Sequence, residues 1–208
     1  MRQSELEARA GAGGVARAIG GRVRQGRNSR GWTLDQLAGR SGVSRRMLVS
    51  IEAGSANPSI ATLLLISDAL GIGLPALVDM DRSPGLRVTR VGSAPVLWQG
   101  KAGGQAVLVA GTEPPDVTEL WDWTLGPGES HSSPAHAAGT RELLLVLDGQ
   151  VELRVGQHAE VLATGDSASF AGDLPHGYVN PGPQVARFAL TVFEPGVGPG
   201  ARSEATDA

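Results

Sequence analysis

The side chains of this sequence best suited to reading a base pattern are two adjacent arginines, Arg45 and Arg46. Ser50 follows them by about one helical turn. A guanidinium group presents its donors in a planar fork, which matches the two acceptors of guanine in the major groove. At helical spacing these three side chains share an outward face, while Leu48 and Ile51 pack inward. The pattern predicts base contacts. Contacts with phosphate alone are the alternative, because most protein–DNA hydrogen bonds go to the backbone.

Capping signals delimit the helix that must carry these residues. Ser44 predicts its N-cap, and Gly54 predicts its end. The preceding helix begins at a capping box formed by Thr33 and Gln36, and it stops near Gly42, where glycine permits a positive φ. Two short helices joined in this way form a helix-turn-helix, whose second helix fits the major groove.

Charge is divided unevenly along the chain. Residues 1–80 hold ten arginines, no lysine and six acidic residues, whereas residues 81–208 hold eight basic and fifteen acidic residues. A basic front half is typical of a protein with a polyanionic partner. The absence of cysteine excludes disulfides, zinc–thiolate sites and thiol catalysis. No apolar run is long enough to cross a bilayer or to form a signal peptide, which predicts a cytoplasmic protein without a membrane partner.

Sequence texture predicts two domains of opposite class. In the second half, short apolar runs are separated by glycine, proline and aspartate at intervals of about 8–12 residues, which is typical of an antiparallel barrel or sandwich. We expect a flexible arm over 1–14, a helical DNA-binding domain over 15–79, a linker with the first strand over 80–95, a β-barrel over 96–195 and a disordered tail over 196–208.

One predicted strand alternates strictly over residues 119–125. Period-two alternation places Trp121 and Trp123 on the same face, with Leu125. In a small barrel the apolar face points inward, so we expect these indoles to narrow a cavity that Tyr178 also lines. The alternative is that they are ordinary core residues or lie at a dimer interface, since large aromatic side chains are common in both.

A run of spaced motifs extends over residues 19–71 of the helical half. The motifs are Ile19–Arg24, Gly31–Leu34, Gln36–Ala38, Gly42–Ser44, Ile51–Gly54, Asn57–Ser59 and Ala69–Gly71. Their spacing resembles the five-helix domain of phage-repressor-like (XRE-type) transcription regulators. The resemblance implies helices near 15–30, 33–40, 44–53, 59–70 and 74–78.

The same resemblance implies roles for individual residues. Arg27 and Glu52 occupy the positions of a structural ion pair between the first helix and the recognition helix. Trp32 replaces a smaller aliphatic residue. It is expected in the core, and the alternative is a platform on which a base stacks. The residues expected to contact an operator in double-stranded DNA are Thr33, Gln36, Ser44, Arg45, Arg46, Ser50 and Asn57. Because one recognition helix reads only a few base pairs, we expect a homodimer on paired half-sites.

Two stretches of the second half form a paired motif. The first runs from His136 to Glu142, with six residues between Glu142 and Gly149, and the second is Pro175–Asn180. They resemble the paired motifs of the cupin superfamily, most closely the form fused to XRE-type domains. The resemblance implies an all-β, double-stranded β-helix (jelly-roll) barrel after the all-α domain.

Metal-binding cupins supply two histidines separated by one residue, then a glutamate and a final histidine. By this resemblance Ala138 stands in the second-histidine position, which leaves His136, Glu142 and His176. Two imidazoles and one carboxylate with open positions suit non-haem iron, and also manganese, nickel or zinc. A metal-free pocket whose histidines bind an organic ligand is the alternative. His131 could replace the missing ligand if its loop folded inward, but we expect a surface-loop histidine.

These features predict a sequence-specific transcription regulator, not an enzyme, whose barrel binds a small-molecule effector and dimerises the protein. The expected pocket residues are Trp121, Trp123, His136, Glu142, His176 and Tyr178. No cofactor is expected apart from a single divalent metal in the barrel, if that site is filled. The alternative is a mononuclear-iron cupin oxygenase or epoxidase that uses its helix-turn-helix for oligomerisation. A barrel that only dimerises is a third hypothesis.

Overall fold

The computed structural model of the chain describes residues 2–78 and 86–197. Its internal contacts separate a helical unit from a compact β unit over Val88–Gly196. The predicted order, an all-α domain followed by an all-β barrel, is therefore confirmed. Within the described part of the chain, no helix combines the length and the apolar character needed to cross a membrane.

Among the residues that the structure describes, the helical unit contains five helices: α1 Arg2–Ser29, α2 Leu34–Ser41, α3 Arg45–Glu52, α4 Ile60–Leu70 and α5 Leu74–Val78. Thr33 and Gln36 form the expected capping box at the start of α2: the Gln36 amide donates to Thr33 Oγ1 at 3.1 Å and the Thr33 amide donates to Gln36 Oε1 at 2.8 Å. Ser44 accepts from the Met47 amide at the start of α3. Between the helices, Gly42 adopts φ 69°, as the tight turn requires.

Helix α1 packs closely on α3. A Cβ atom at Gly20 would collide with the carbonyl oxygen of Ile51, so only glycine allows this approach. Leu48 and Ile51 are buried, and Val43 is buried beside them, as the helical spacing predicts. Burying this face stabilises α3, which at eight residues is too short to be stable alone.

Two segments differ from the sequence-based expectation. The structure places residues 2–14 in α1 instead of a flexible arm. Alanines are strong helix formers, and the interspersed glycines cost only about 1 kcal/mol each without blocking the helix as proline would. The first strand begins at Val96, after the 80–95 segment in which it was expected. Within that segment, residues 79–85 lie outside the described part of the chain, as does most of the predicted tail.

The β unit contains ten strands: β1 Val96–Gln99, β2 Gln105–Gly111, β3 Val117–Leu125, β4 Ser130–Ser133, β5 Arg141–Asp148, β6 Gln150–Val155, β7 His158–Ala163, β8 Ser167–Ala171, β9 His176–Val179 and β10 Ala186–Glu194. One sheet has the order β1-β2-β3-β10-β5-β8 and the other has the order β4-β9-β6-β7. Every strand pair is antiparallel, as expected for a jelly roll.

Strand β10 organises the interior because it pairs with both β3 and β5. Its residues therefore join side chains of the two neighbouring strands into interior rows. One row contains Trp121, Leu190 and Leu144, and another contains Glu119, Val192 and Glu142. Directly paired residues of antiparallel strands point to the same face, so both glutamates enter the apolar interior.

The ion pair implied by the family resemblance is confirmed. Arg27 holds Glu52 through two hydrogen bonds, Nε to Oε1 at 2.6 Å and a terminal nitrogen to Oε2 at 2.9 Å. Arg24 Nε lies 3.3 Å from Glu52 Oε2. Burial opposes ionisation of Glu52, but both arginines outweigh it and hold the pKa of the carboxyl below its usual value. The pair therefore ties α1 to the end of α3.

We predict that Glu52→Gln lowers the free energy of unfolding by about 3 kcal/mol at neutral pH, because Arg27 is left without its buried counter-charge. The pKa of Glu52 is lowered in the folded state, so the stabilisation is complete above the ordinary carboxyl pKa and is lost as pH falls through the folded-state value. Urea unfolding followed by circular dichroism at several pH values measures both effects.

The matched control is Asp35→Asn, which breaks the exposed pair between Asp35 and Arg45. Exposed pairs contribute about 0–1 kcal/mol, so this variant should unfold almost as the wild type does. Equal destabilisation by the two substitutions would contradict the role assigned to Glu52.

Candidate functional sites

The first candidate site is the outward face of α3. Arg45, Arg46 and Ser50 lie on this face, with both arginines exposed and Ser50 half-buried. Arg45 Nε lies 3.1 Å from Asp35 Oδ1 in the first turn of α2. This contact tethers one of the two guanidiniums at the point where α2 and α3 begin.

Four other predicted DNA-contacting residues are exposed around the two helix N-termini or in the following loop. The side chains of Thr33 and Gln36 each accept a hydrogen bond from the other residue's backbone amide in the capping box of α2. The Ser44 side chain caps α3. Asn57 is exposed between α3 and α4. The structure gives the first three a role in starting helices, and helix N-termini attract phosphate. Contact with DNA stays a prediction for all four.

Trp32 does not occupy the core position expected for it. Its ring is half-buried, and the guanidiniums of Arg40 and Arg30 lie 4.4 Å and 5.7 Å from its centroid. Cation–π attraction to these two guanidiniums stabilises the indole ring in this half-buried position.

The second candidate site is a cluster of two histidines and a glutamate inside the β unit. Glu142 projects inward from β5, His176 begins β9, and His136 lies in the loop before β5. Glu142 Oε1 lies 3.3 Å from His136 Nε2 and 3.1 Å from His176 Nε2. One ligand atom from each residue lies within 4.8 Å of the others, so the three can share one ion.

Neighbouring groups orient this cluster. His176 Nδ1 lies 2.8 Å from the carbonyl oxygen of Leu174, so it donates there and leaves the Nε2 lone pair facing Glu142. The Tyr178 hydroxyl donates to Glu142 Oε2 at 2.8 Å. With His176 in this tautomer, the buried Glu142 Oε1 has no hydrogen-bond donor among the described residues. An unsatisfied buried carboxylate oxygen facing two imidazole nitrogens is the donor set that a divalent metal needs.

The same geometry explains the protonation of the cluster. Burial alone would raise the pKa of Glu142, but His136, His176 and Tyr178 together lower it to about 2. Burial lowers the pKa of His176, and Glu142 outweighs this so that the net shift is upward. A proton on His176 can therefore occupy the position between it and Glu142, and a metal ion would have to displace that proton.

The structure corrects the expected position of His131 and clarifies that of Ala138. Ala138 is exposed in a turn. His131 lies on β4 opposite Tyr178 of β9, not on a surface loop, because this pairing turns its ring toward the interior. Its ring centroid lies 4.8 Å from that of Trp123, and burial together with the charge of His176 lowers its pKa to about 4. In the described residues the metal-type cluster contains only His136, Glu142 and His176.

The aromatic pocket residues are all deeply buried. Trp121, Trp123 and Tyr178 are each less than 5% exposed, and Trp123 stacks on Phe188 with an interplanar angle of 6°. Burial on this scale shows that they are core residues, and contact with an effector stays a prediction. The Trp123 indole N–H is buried without an acceptor among the described residues. Trp98, which sequence reasoning missed, lies 5.6 Å from Trp123 between ring centroids.

Sequence reasoning also missed a buried acid. Glu119 is 2% exposed and accepts a hydrogen bond from Trp121 Nε1 at 2.9 Å. Burial raises its pKa to about 8, with further contributions from the charges of Glu194 and Glu142. The strand alternation carried the signal, because Glu119 shares the period-two positions of Trp121 and Trp123.

Comparison with known proteins agrees with both halves of the structure. Family models match residues 23–77 as a helix-turn-helix and residues 121–193 as a cupin domain. The chain is 29% identical over 184 residues to the HTH-type transcriptional regulator SutR of Escherichia coli, covering 87% of this chain and 97% of that protein. It is 34% identical over 64 residues to the uncharacterized HTH-type transcriptional regulator y4dJ of Sinorhizobium fredii, covering 31% of this chain and 83% of that protein.

Among solved structures, an HTH_3 family transcriptional regulator from Vibrio cholerae is similar with a TM-score of 0.65 and 26% identity, covering 88% of this chain and 99% of that one. The similarity extends over both units, and the residues with capping, ion-pair and barrel roles lie within the matched segments. The chain therefore belongs to the XRE-type helix-turn-helix transcriptional regulators that carry a cupin domain.

Proposed function

We propose that this regulator is a cytoplasmic homodimer that reads operator half-sites with α3 and whose barrel binds a small-molecule effector. The observation that carries the proposal is the buried cluster of His136, Glu142 and His176 inside the barrel. The other unit of the same chain presents exposed arginines on α3. A barrel that served only as a dimerisation element would have no need to bury Glu142 between two histidines. Ligand binding controls DNA binding only if the effector favours one arrangement of the dimer.

The outward face of α3 supports the DNA-reading role. Arg45 and Arg46 are exposed at its N-terminal turn, where recognition helices approach base edges. The buried face holds Leu48, Ile51 and the ion-paired Glu52, so α3 is fixed to the rest of the unit. A rigidly held helix can present two guanidiniums in a defined geometry.

The cluster of His136, Glu142 and His176 fits a divalent metal. His176 is oriented by Leu174 and Glu142 by Tyr178, which are the kinds of outer contacts that orient metal ligands. A metal held by these three residues would leave coordination positions open to an oxygen or nitrogen atom of an effector. The same three ligands could also hold the iron of a cupin oxygenase, which is the alternative function. The relatives SutR and y4dJ, however, are both named transcriptional regulators.

An apolar strip on the outside of the larger sheet supports dimerisation through the barrel. The outward side chains of β5, Leu143, Leu145 and Leu147, are between 41% and 57% exposed. Phe193 on the adjacent strand β10 and Leu120 on β3, the strand beyond it, are also exposed on this sheet. Exposed apolar residues in one contiguous strip are typical of a surface covered by a partner. A two-fold axis through this strip would place it against the same strip of a second copy.

The double substitution Arg45→Ala with Arg46→Ala should reduce operator affinity by about a hundredfold or more, since each bidentate contact with guanine discriminates by about 1–3 kcal/mol. Operator sequences are first selected from random duplex DNA with the wild-type chain. Binding is then measured by fluorescence anisotropy at fixed salt concentration. Arg154→Ala, which removes an exposed arginine from the smaller sheet of the barrel, is the control and should leave affinity unchanged. Unchanged selectivity in the double variant would refute the assignment of α3.

Metal binding is tested on protein stripped with a chelator and then supplied with iron(II), manganese, nickel or zinc. We expect stoichiometric metal by elemental analysis, and a loss of about tenfold or more in affinity for Glu142→Gln and for His176→Ala. His158→Ala, an exposed histidine on β7, should retain the metal. Failure of every metal to bind would leave an organic-ligand pocket, and oxygen consumption by iron-loaded protein would favour the oxygenase.

Leu145→Arg should convert the dimer to a monomer, because a desolvated charge at the centre of an apolar interface is unfavourable. Light scattering after size-exclusion chromatography measures the change. Val161→Arg introduces the same charge at an exposed valine of the other sheet and should stay dimeric. A dimeric Leu145→Arg variant would place the interface elsewhere.

A further inference from the structure

Helix α3 carries an exposed valine that neither folding nor the proposed arginine contacts require. Val49 is 43% exposed, whereas the buried residues of this helix are Leu48, Ile51 and Glu52. A β-branched side chain is a poor helix former, so an exposed position in a short helix is an unfavourable place for valine. Its solvent-facing methyl groups are therefore available for a partner.

Helix geometry places Val49 beside both arginines. It follows Arg45 by four residues and Arg46 by three, so its Cβ lies about 40° and about 60° from theirs around the helix axis. Met47 is also exposed, at 41%, but it lies about 160° from Val49 and faces another direction. Of the exposed apolar side chains on α3, Val49 is therefore the one that lies nearest to both arginines.

The ion pair between Arg45 and Asp35 keeps the Arg45 guanidinium from folding over Val49. Arg45 Nε lies 3.1 Å from Asp35 Oδ1, which draws that guanidinium toward α2. Val49 follows Arg45 by one turn and Arg46 by almost one turn, so it lies one turn beyond the two arginines on the same face of α3. A valine in this position has no hydrogen-bonding atoms, so it must read a base through shape and apolar contact.

Thymine is the base that offers an apolar feature in the major groove, its C5 methyl group. We propose that Val49 contacts a thymine methyl next to the guanine read by Arg45 or Arg46, and so fixes one A·T pair of each half-site. This inference rests on the proposed docking of α3 in the major groove. It adds a specificity-determining residue to the arginine contacts.

Deoxyuridine, which lacks only the C5 methyl, provides the test. Sequences selected from random duplex DNA with the full-length wild-type chain are resynthesised with each thymine of a half-site replaced in turn by uracil. Loss of one buried methyl group should weaken wild-type binding about fourfold at a single position per half-site. Val49→Ala should bind thymine and uracil equally at that position and keep its preference for the neighbouring guanine.

Met47→Ala is the matched control, because it removes a side chain of similar exposure from a different side of α3. It should retain the wild-type sensitivity to uracil. Circular dichroism should show that Val49→Ala is at least as stable as the wild type, since alanine is the better helix former. Persistence of uracil sensitivity in Val49→Ala would overturn the proposal while leaving the arginine contacts intact. Failure of the wild type to select any sequence would overturn both.

Discussion

A carboxylate removed from water needs a counter-charge or a proton, and this constraint organises both units of the protein. In the helical unit, Glu52 is satisfied by Arg27, and the contact fixes α1 against the helix that presents the outward arginines. In the barrel, Glu142 accepts a hydrogen bond from Tyr178 and lies 3.1 Å from His176, which can carry the balancing proton, and these contacts join β9 to β5 across the interior. Glu119 shares a row with Glu142, and burial raises its pKa to about 8 because the indole N–H of Trp121 offsets only part of the cost of ionising it there. The different surroundings of these two glutamates therefore keep Glu119 protonated and Glu142 ionised at neutral pH.

Features encoded by neighbouring residues could be predicted from the sequence. The capping box at Thr33 and the cap at Ser44 depend on residues three positions away, so their chemistry is visible in the sequence itself. Period-two alternation likewise identified the inward face of β3 with Trp121 and Trp123. Recognition of Glu142 as a site residue came from a family resemblance, because nothing local in an alternating strand distinguishes a site carboxylate from a surface one.

What could not be predicted depends on partners distant in the sequence. His131 was expected on a surface loop because its flanking serines and proline hide a four-residue strand that exists only through pairing with β9. The family resemblance placed Trp32 in the core. The guanidinium of Arg40 that stacks on its ring belongs to the next helix, so this contact left no local signal in the sequence. Glu119 was overlooked although its strand register was correct, because a charged residue in an interior position contradicts the simple rule that apolar residues face inward.

The contact between Gly20 and Ile51 has a consequence for how this sequence can change over generations. Gly20 has no room for a Cβ atom, whereas the adjacent Gly21 faces open space. The two neighbouring glycines are therefore under opposite constraints. Any larger residue at position 20 would push α1 away from α3 and strain the ion pair at Glu52, whereas alanine at position 21 would favour the helix. In sequences that descend from this one, we therefore expect glycine to be kept at position 20 and other residues to be accepted at position 21.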